Sequence, residues 1–188
     1  NWGPGIYDYT EAQVDKVIWE VVPEENTRVT ALQAGQADAS QYVPYWSIKE
    51  LMANKQLHVS KAENFFWTYF IGFKIDKDLV NDVRVRRAIN LAVDQKAITE
   101  AVTFGLAEPA STMLNPTVLD FNAKVDRAIY GENVKEAEKL LDEAGWKKGA
   151  DGFRYKDGKK LAPLVYGISG AFKEIAEAVQ GELRKGGI

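Results

Sequence analysis

Hydrophobic positions between residues 82 and 102 recur at the spacing of amphipathic helices. The apolar residues that share the first face are Val85, Ala88, Ile89, Ala92 and Val93. This spacing places them on one stripe of a helix and turns the basic side chains between them away from it. Asp82 suits the N-cap of this helix, and Asp94 can cap a second one that carries Ile98 and Val102. The pattern predicts two short consecutive helices joined by a kink.

Four further helical segments follow from the same pattern. A helix capped by Asn26 or Thr27 ends before Gly35, which suits the left-handed conformation after a helix. Residues 47–51 are expected to form a helical turn. A longer helix begins at Glu132 or Asn133, buries Val134, Ala137, Leu140, Leu141 and Ala144, and is closed by Gly145. The last one has an apolar face of Phe172, Ile175, Ala176, Val179 and Leu183.

Runs of β-branched and aromatic residues predict strands at residues 14–22, 65–73 and 161–168. Residues 37–40 are expected to form a further short strand. Two Asp-Gly pairs flank residues 153–155, which predicts a small hairpin that faces solvent. The strand at 161–168 precedes the last helix, an order typical of a β-α-β unit, whose second parallel strand would follow the helix.

Charge and composition exclude some classes of protein. The formal net charge is −3, whereas nucleic-acid-binding proteins present clustered cations, so no nucleic-acid partner is expected. No run reaches the roughly 18 consecutive apolar residues that span a bilayer. The sequence starts with Asn1 and Trp2 and not with Met, so we expect an excised piece of a longer protein.

Catalytic and metal-binding motifs are missing from the sequence. There is no Cys, and His58 is the single imidazole, so neither a nucleophile-His arrangement nor a metal-ligand spacing can be built. No phosphate-loop or dinucleotide motif occurs, and we expect no cofactor. Acidic neighbours are expected to be solvated surface charges. These are Glu24 and Glu25, Asp142 and Glu143, and Glu174 and Glu177.

Aromatic residues remain as candidates for ligand contact. Tyr42, Tyr45 and Trp46 surround Pro44, and residues 65–70 hold five aromatic side chains. In an extended strand one parity can pack in a core while the other faces a cleft. Tyr and Trp offer a ligand both an apolar face and a polar group.

Several motifs, in their order along the chain, resemble the family 5 extracellular solute-binding proteins, the oligopeptide-, dipeptide- and nickel-binding components of ABC importers. They are VDKVIWEVVP (14–23), TRVTALQAGQAD (27–38), IGF (71–73), NDVRVRRAIN (81–90), AEKLLDEAGW (137–146) and IAEAVQ (175–180). The resemblance implies a partial α/β fold of the two-lobe, type II periplasmic-binding-protein kind, with mixed sheets flanked by helices. Residues 1–71 would end the first stretch of lobe I and include the hinge strand, and residues 72–188 would begin lobe II.

The resemblance also implies a function and a site. The protein would capture a peptide or similar small solute between its lobes and deliver it to a membrane permease, without catalysis, metal or cofactor. It would be a monomer at full length, in the periplasm or as a cell-surface lipoprotein. Gln41, Tyr42, Trp67 and Tyr69 match cleft-lining positions, whereas Arg84 and Arg86 are expected to anchor the hinge through buried ion pairs. The alternatives are a sensory domain of a regulator and a carboxylate-dependent hydrolase.

Overall fold

The computed structural model describes residues 14–60, 68–110, 112–114, 116–122, 124, 132–161 and 173–188. The helices within these ranges are α1 Glu25–Gln33, α2 Tyr45–Ala53, α3 Val83–Leu91, α4 Gln95–Thr103, α5 Val134–Glu143 and α6 Lys173–Lys185. The strands are β1 Lys147–Lys148, β2 Arg154–Lys156 and β3 Lys159–Lys160. Within the described ranges, no helix has the length and apolar character of a membrane-spanning segment. The chain divides into two compact units, residues 1–57 and 58–188.

The first unit is built around α1 and α2. Val29 of α1 and Leu51 of α2 are buried, and Gln33 Nε2 donates to Glu50 Oε1 at 2.7 Å, which ties the two helices together. Gly35 follows α1 with φ +67°, as predicted. The predicted cap is wrong, because α1 begins two or three residues earlier, after Glu24, whose side chain makes no capping hydrogen bond.

The strands predicted in the first unit are wrong for this structure. Residues 14–22 and 37–40 contain no strand. A strand requires a neighbour for its N–H and C=O groups, and no strand in the described part of this unit supplies one. As a result Val17, Ile18, Trp19 and Val21 are each at least 75% exposed.

The second unit has its main core between α3 and α5. The predicted face of α3 is confirmed, since Val85 and Ala88 are fully buried and pack with Leu141 of α5. The two helices run antiparallel and are tied at both ends. At one end the Asn133 N–H donates to Leu91 O at 2.8 Å. At the other, Arg84 Nη1 donates to Glu143 O at 2.8 Å.

Three helices of the second unit begin at the caps that the sequence predicts. Asp82 Oδ1 accepts from the Arg84 N–H, Asp94 Oδ1 from the Ala97 N–H and Asn133 Oδ1 from the Glu136 N–H. Each such cap contributes about 1 kcal/mol. Helix α4 packs on α6 through Ile98 and Val179, with Val102, Ile175 and Leu183 partly buried around them.

The predicted hairpin is a three-stranded antiparallel sheet in the order β1-β2-β3. Asp157 and Gly158 both have positive φ values, 51° and 74°, as a tight two-residue hairpin turn requires. The expectation that this hairpin faces solvent is wrong at Arg154, which is only 2% exposed. It is buried because its guanidinium group finds hydrogen-bond partners inside the unit.

Arg154 joins three parts of the second unit. Its Nη1 donates to Asp142 Oδ1 at 2.7 Å and to Trp146 O at 2.8 Å, and its Nε donates to Gly186 O at 3.2 Å. Glu138 adds a weaker ion pair at 3.7 Å. The hairpin is thereby fastened both to α5 and to the segment that follows α6.

Gly187 completes this contact through its backbone. Its carbonyl accepts from the Arg154 N–H at 3.1 Å, and its φ is +81°. A Cβ atom at this position would lie 2.5 Å from Gly152 O. Glycine is therefore required here for two reasons, the left-handed backbone and the close approach of a second chain segment.

Two predicted strands fall partly outside the described residues. Residues 68–73 are described and form no strand, while residues 65–67 lie outside the described ranges. Leu161 is fully buried in the main core, and the remainder of the strand predicted at 161–168 lies outside them, as does Phe172.

We expect Gly187→Ala to destabilise the second unit by about 2 kcal/mol or more, because it adds both a positive-φ penalty and an overlap with Gly152 O. The matched control is Gly181→Ala within α6, where a Cβ meets nothing within 4 Å. That substitution should stabilise by roughly 0.5–1 kcal/mol, because alanine is a better helix former than glycine. Urea unfolding followed by circular dichroism measures both, and equal effects of the two substitutions would contradict the proposed packing.

Candidate functional site

The turn that contains Gln41 and Tyr42 lies between α1 and α2 and is held by Arg28. Arg28 Nη1 donates to Val22 O and to Pro23 O, each at 2.8 Å, and Nη2 donates to Tyr42 O at 3.2 Å. Glu25 Oε1 lies 3.6 Å from Nη2. One guanidinium group thus connects the chain before α1 to the turn after it.

The backbone of this turn has an unusual conformation at Tyr42. Its φ is +54°, which is uncommon for a residue with a bulky side chain. The residue is 65% exposed, and Gln41 beside it is also exposed. Pro44 O, at the start of α2, accepts from the buried Ser47 Oγ at 2.8 Å. The turn therefore presents two polar side chains to solvent from a backbone that is fixed on both sides.

The two remaining predicted site residues belong to the second unit. Tyr69 is 42% exposed and lies in a described stretch without regular secondary structure. Trp67 lies outside the described residues. Gln41 and Tyr42 are thus adjacent in one unit, and Tyr69 belongs to the other.

The prediction that Arg84 and Arg86 make buried ion pairs is wrong. Arg84 Nη2 pairs with Asp82 Oδ2 at 2.6 Å, but its side chain is 43% exposed. Arg86 Nη1 donates instead to two backbone carbonyls, Val80 O at 2.8 Å and Asn81 O at 2.7 Å. Both arginines hold the chain at the start of α3, and they do so mainly through local contacts.

Asp82 has two roles at this helix start. Its carboxylate accepts from the Arg84 backbone N–H as the N-cap and from the Arg84 guanidinium as an ion-pair partner. The side-chain hydrogen bond from Arg84 is the main reason that the pKa of Asp82 is lowered from its usual value of 3.8. The same bond raises the pKa of Arg84.

The described residues give little support for metal binding or catalysis. No group of three or more Asp, Glu or His side chains there could hold a metal ion. His58 is exposed. The six carboxylates predicted to be surface charges are all exposed, which confirms that prediction. Asp142 nevertheless binds Arg154, a structural partner that its neighbours in the sequence do not indicate.

The structure is similar to solved solute-binding proteins. It matches the oligopeptide-binding protein AppA of Bacillus subtilis, solved in complex with a nonapeptide, with a TM-score of 0.75 and 30% identity over 89% of this chain and 34% of that one. It also matches NikA from Brucella suis, solved in complex with Fe(III)-EDTA, with a TM-score of 0.76 and 30% identity over 90% and 35%. The chain therefore has part of the α/β fold of these proteins, as predicted.

The chain belongs to the bacterial extracellular solute-binding proteins, family 5. The profile of the middle region of this family matches residues 2–188. Among curated relatives, AppA of Bacillus subtilis (strain 168) is 32% identical over all of this chain and 36% of its own length. Heme-binding protein A of Haemophilus influenzae is 27% identical over 93% of this chain and 30% of its own length. The chain thus spans about a third of the length of these relatives.

The role of Arg28 in holding the turn at Gln41 and Tyr42 could not be recognised from the sequence. Its acceptors are backbone carbonyls, which have no residue-specific signature, and they lie up to 14 residues away. The sequence held no clear signal for this role, because the start of the helix that carries Arg28 was itself predicted too late in the chain. A long cationic side chain at that position can donate hydrogen bonds to several carbonyl groups of the adjoining segments.

We expect the free energy of unfolding of Asp82→Asn to fall less than that of the wild type as the pH is lowered. Because the pKa of Asp82 is lower in the folded protein than in the unfolded one, the stability it contributes is fully present above pH 3.8 and is lost as the pH falls through the folded-state pKa. Asparagine still caps a helix well, so the variant removes mainly the charge.

The measurement is urea unfolding between about pH 6 and about pH 2.5, the range in which a depressed carboxyl pKa affects stability. The wild type should lose more stability over this range than Asp82→Asn. Asp78→Asn, at an exposed position of the same unit, controls for neutralising a carboxylate. Parallel profiles for wild type and Asp82→Asn would exclude the ion pair as a source of stability.

Proposed function

We propose that this chain is the middle part of a solute-binding protein that captures a peptide or similar small solute between two lobes and delivers it to the permease of an ABC importer. The family match over residues 2–188 carries this proposal. The relative solved with a nonapeptide supports a peptide as solute. The protein would act by binding and not by catalysis.

The proposed solute contacts are Gln41, Tyr42, Trp67 and Tyr69. Exposure of the first two on a fixed turn supports this assignment, because a preorganised contact does not have to be ordered when the solute binds. Residues 1–71 would belong to lobe I and residues 72–188 to lobe II. Solute would favour the closed arrangement of the lobes, since it contacts both of them only in that state.

The protein would act outside the cytoplasmic membrane, as a periplasmic protein or a cell-surface lipoprotein, and as a monomer at full length. Family membership supports the extracellular location. The permease partner follows from the proposed transport function, because a captured solute has to be released to a membrane protein.

Binding by the full-length protein tests the proposal. Trp fluorescence and calorimetry would follow titration with a pool of random-sequence pentapeptides, a nickel–histidine complex and a set of monosaccharides and disaccharides. We expect saturable binding of one of these classes. A protein that is folded by circular dichroism but responds to none of them would contradict the proposed function.

We expect Tyr69→Leu to weaken the binding of the solute found in that titration by about tenfold, the effect of losing an aromatic contact and its hydroxyl group. Phe70→Leu is the matched control. Phe70 is the next aromatic residue and is more exposed than Tyr69, at 63%, but it is not one of the proposed contacts. Equal losses in the two variants would argue against Tyr69 as a contact.

A further inference from the structure

We propose that Arg28 is a positioning residue for the turn at Gln41 and Tyr42, and that it acts on solute affinity through the backbone of Tyr42. This inference rests on the proposed function, since it concerns two of the proposed solute contacts. The geometry that carries it is the single guanidinium group bonded to Val22 O, Pro23 O and Tyr42 O.

The turn has a conformation that must be held. Tyr42 has φ +54°, a region that residues other than glycine enter unfavourably and keep only when their surroundings impose it. The residue is 65% exposed, so burial of its side chain does not supply the restraint. The bond from Arg28 Nη2 to Tyr42 O acts directly on the backbone in question.

The other two bonds give this restraint a fixed reference point. Val22 and Pro23 immediately precede the cap of α1, and Arg28 itself lies on α1. Its side chain is only 20% exposed, so the guanidinium group is held between the helix and the chain on both sides of it. The position of Tyr42 is thus set relative to α1.

Arginine is suited to this task and lysine is not. A guanidinium group presents five N–H donors in one rigid plane and can bond several carbonyls at once. A lysine ammonium group is a flexible point charge that would have to choose among the three acceptors. R28K should therefore retain part of the effect, and R28Q should remove most of it.

The experiment is a double-mutant cycle in the full-length protein. We expect R28Q to weaken binding of the random-sequence pentapeptide pool or the nickel–histidine complex by about tenfold, the loss associated with one charge-assisted hydrogen bond. Y42N keeps a residue that tolerates positive φ but removes the aromatic ring. If Arg28 acts by positioning the Tyr42 side chain, R28Q should weaken binding less in the Y42N background than in the Tyr42 background, the remaining effect passing through Gln41.

Amide hydrogen exchange provides a readout that does not depend on solute. Amide hydrogens in peptides covering residues 40–44 should exchange about tenfold faster in solute-free R28Q than in wild type. The reason is that a turn without the hydrogen bonds from Arg28 opens more often. Arg87, an exposed arginine of α3, supplies the control R87Q, which should change neither exchange in this turn nor affinity. R28K should fall between wild type and R28Q, and it replaces R28Q in the cycle if R28Q does not fold.

The outcomes separate this inference from the proposed function. Non-additive losses of affinity together with faster exchange at residues 40–44 support the positioning role. Equal effects of R28Q in the Tyr42 and Y42N backgrounds, or unchanged exchange, overturn it while solute binding by the wild type still stands. If the wild type binds none of the peptide, nickel–histidine and sugar probes, the proposed function is contradicted, and the exchange of residues 40–44 alone then decides whether Arg28 positions the turn.

Discussion

The buried guanidinium group of Arg154 is the interaction on which the second unit depends. It lies between α5, the β-hairpin and the segment that follows α6. It donates hydrogen bonds to the Asp142 carboxylate of α5, to Trp146 O just before β1 and to Gly186 O after α6. Burying a charge is costly unless it is paired and hydrogen bonded. Because Asp142 is half exposed and Arg154 is not, removing the arginine would leave carbonyl groups without donors inside the unit, a larger loss than that of a surface ion pair.

Arginine bonded to backbone carbonyls recurs in both units. Arg28 donates to carbonyls on both sides of α1, and Arg86 donates to carbonyls just before α3. Arg84 donates to Glu143 O in the last turn of α5. Helix ends and turns leave carbonyls without partners in regular structure, and a planar group with five donors satisfies several of them together. The resemblance suggested buried ion pairs for two of these residues, whereas Arg86 donates to main-chain carbonyls and the ion pair of Arg84 with Asp82 is partly exposed.

The helices could be predicted from the sequence because their signals are local. Asp82, Asp94 and Asn133 each lie within three residues of the N–H group that they cap, and the apolar stripe of α3 is complete within nine residues. The hairpin was predictable for the same reason, since its Asp-Gly turns are local signals. The strand predicted at residues 14–22 is absent, because its sequence carries the propensity for a strand while pairing depends on a neighbour elsewhere in the chain. For the candidate site too, only the contributions with a local sequence signal could be predicted. The exposure of Gln41 and Tyr42 agrees with a contact surface, but Arg28 could not be recognised from carbonyl groups that every residue has.

The exposed run from Val17 to Val21 has a consequence for work with this chain in isolation. It has no regular secondary structure, is rich in β-branched residues and bears one charge, Glu20, among four apolar side chains. Backbone groups along such a segment are a template for pairing with the same segment of another molecule. A solution of the isolated 188-residue chain would therefore self-associate as its concentration rises, and a single lysine in place of Ile18 would oppose that association by placing a charge along the exposed edge.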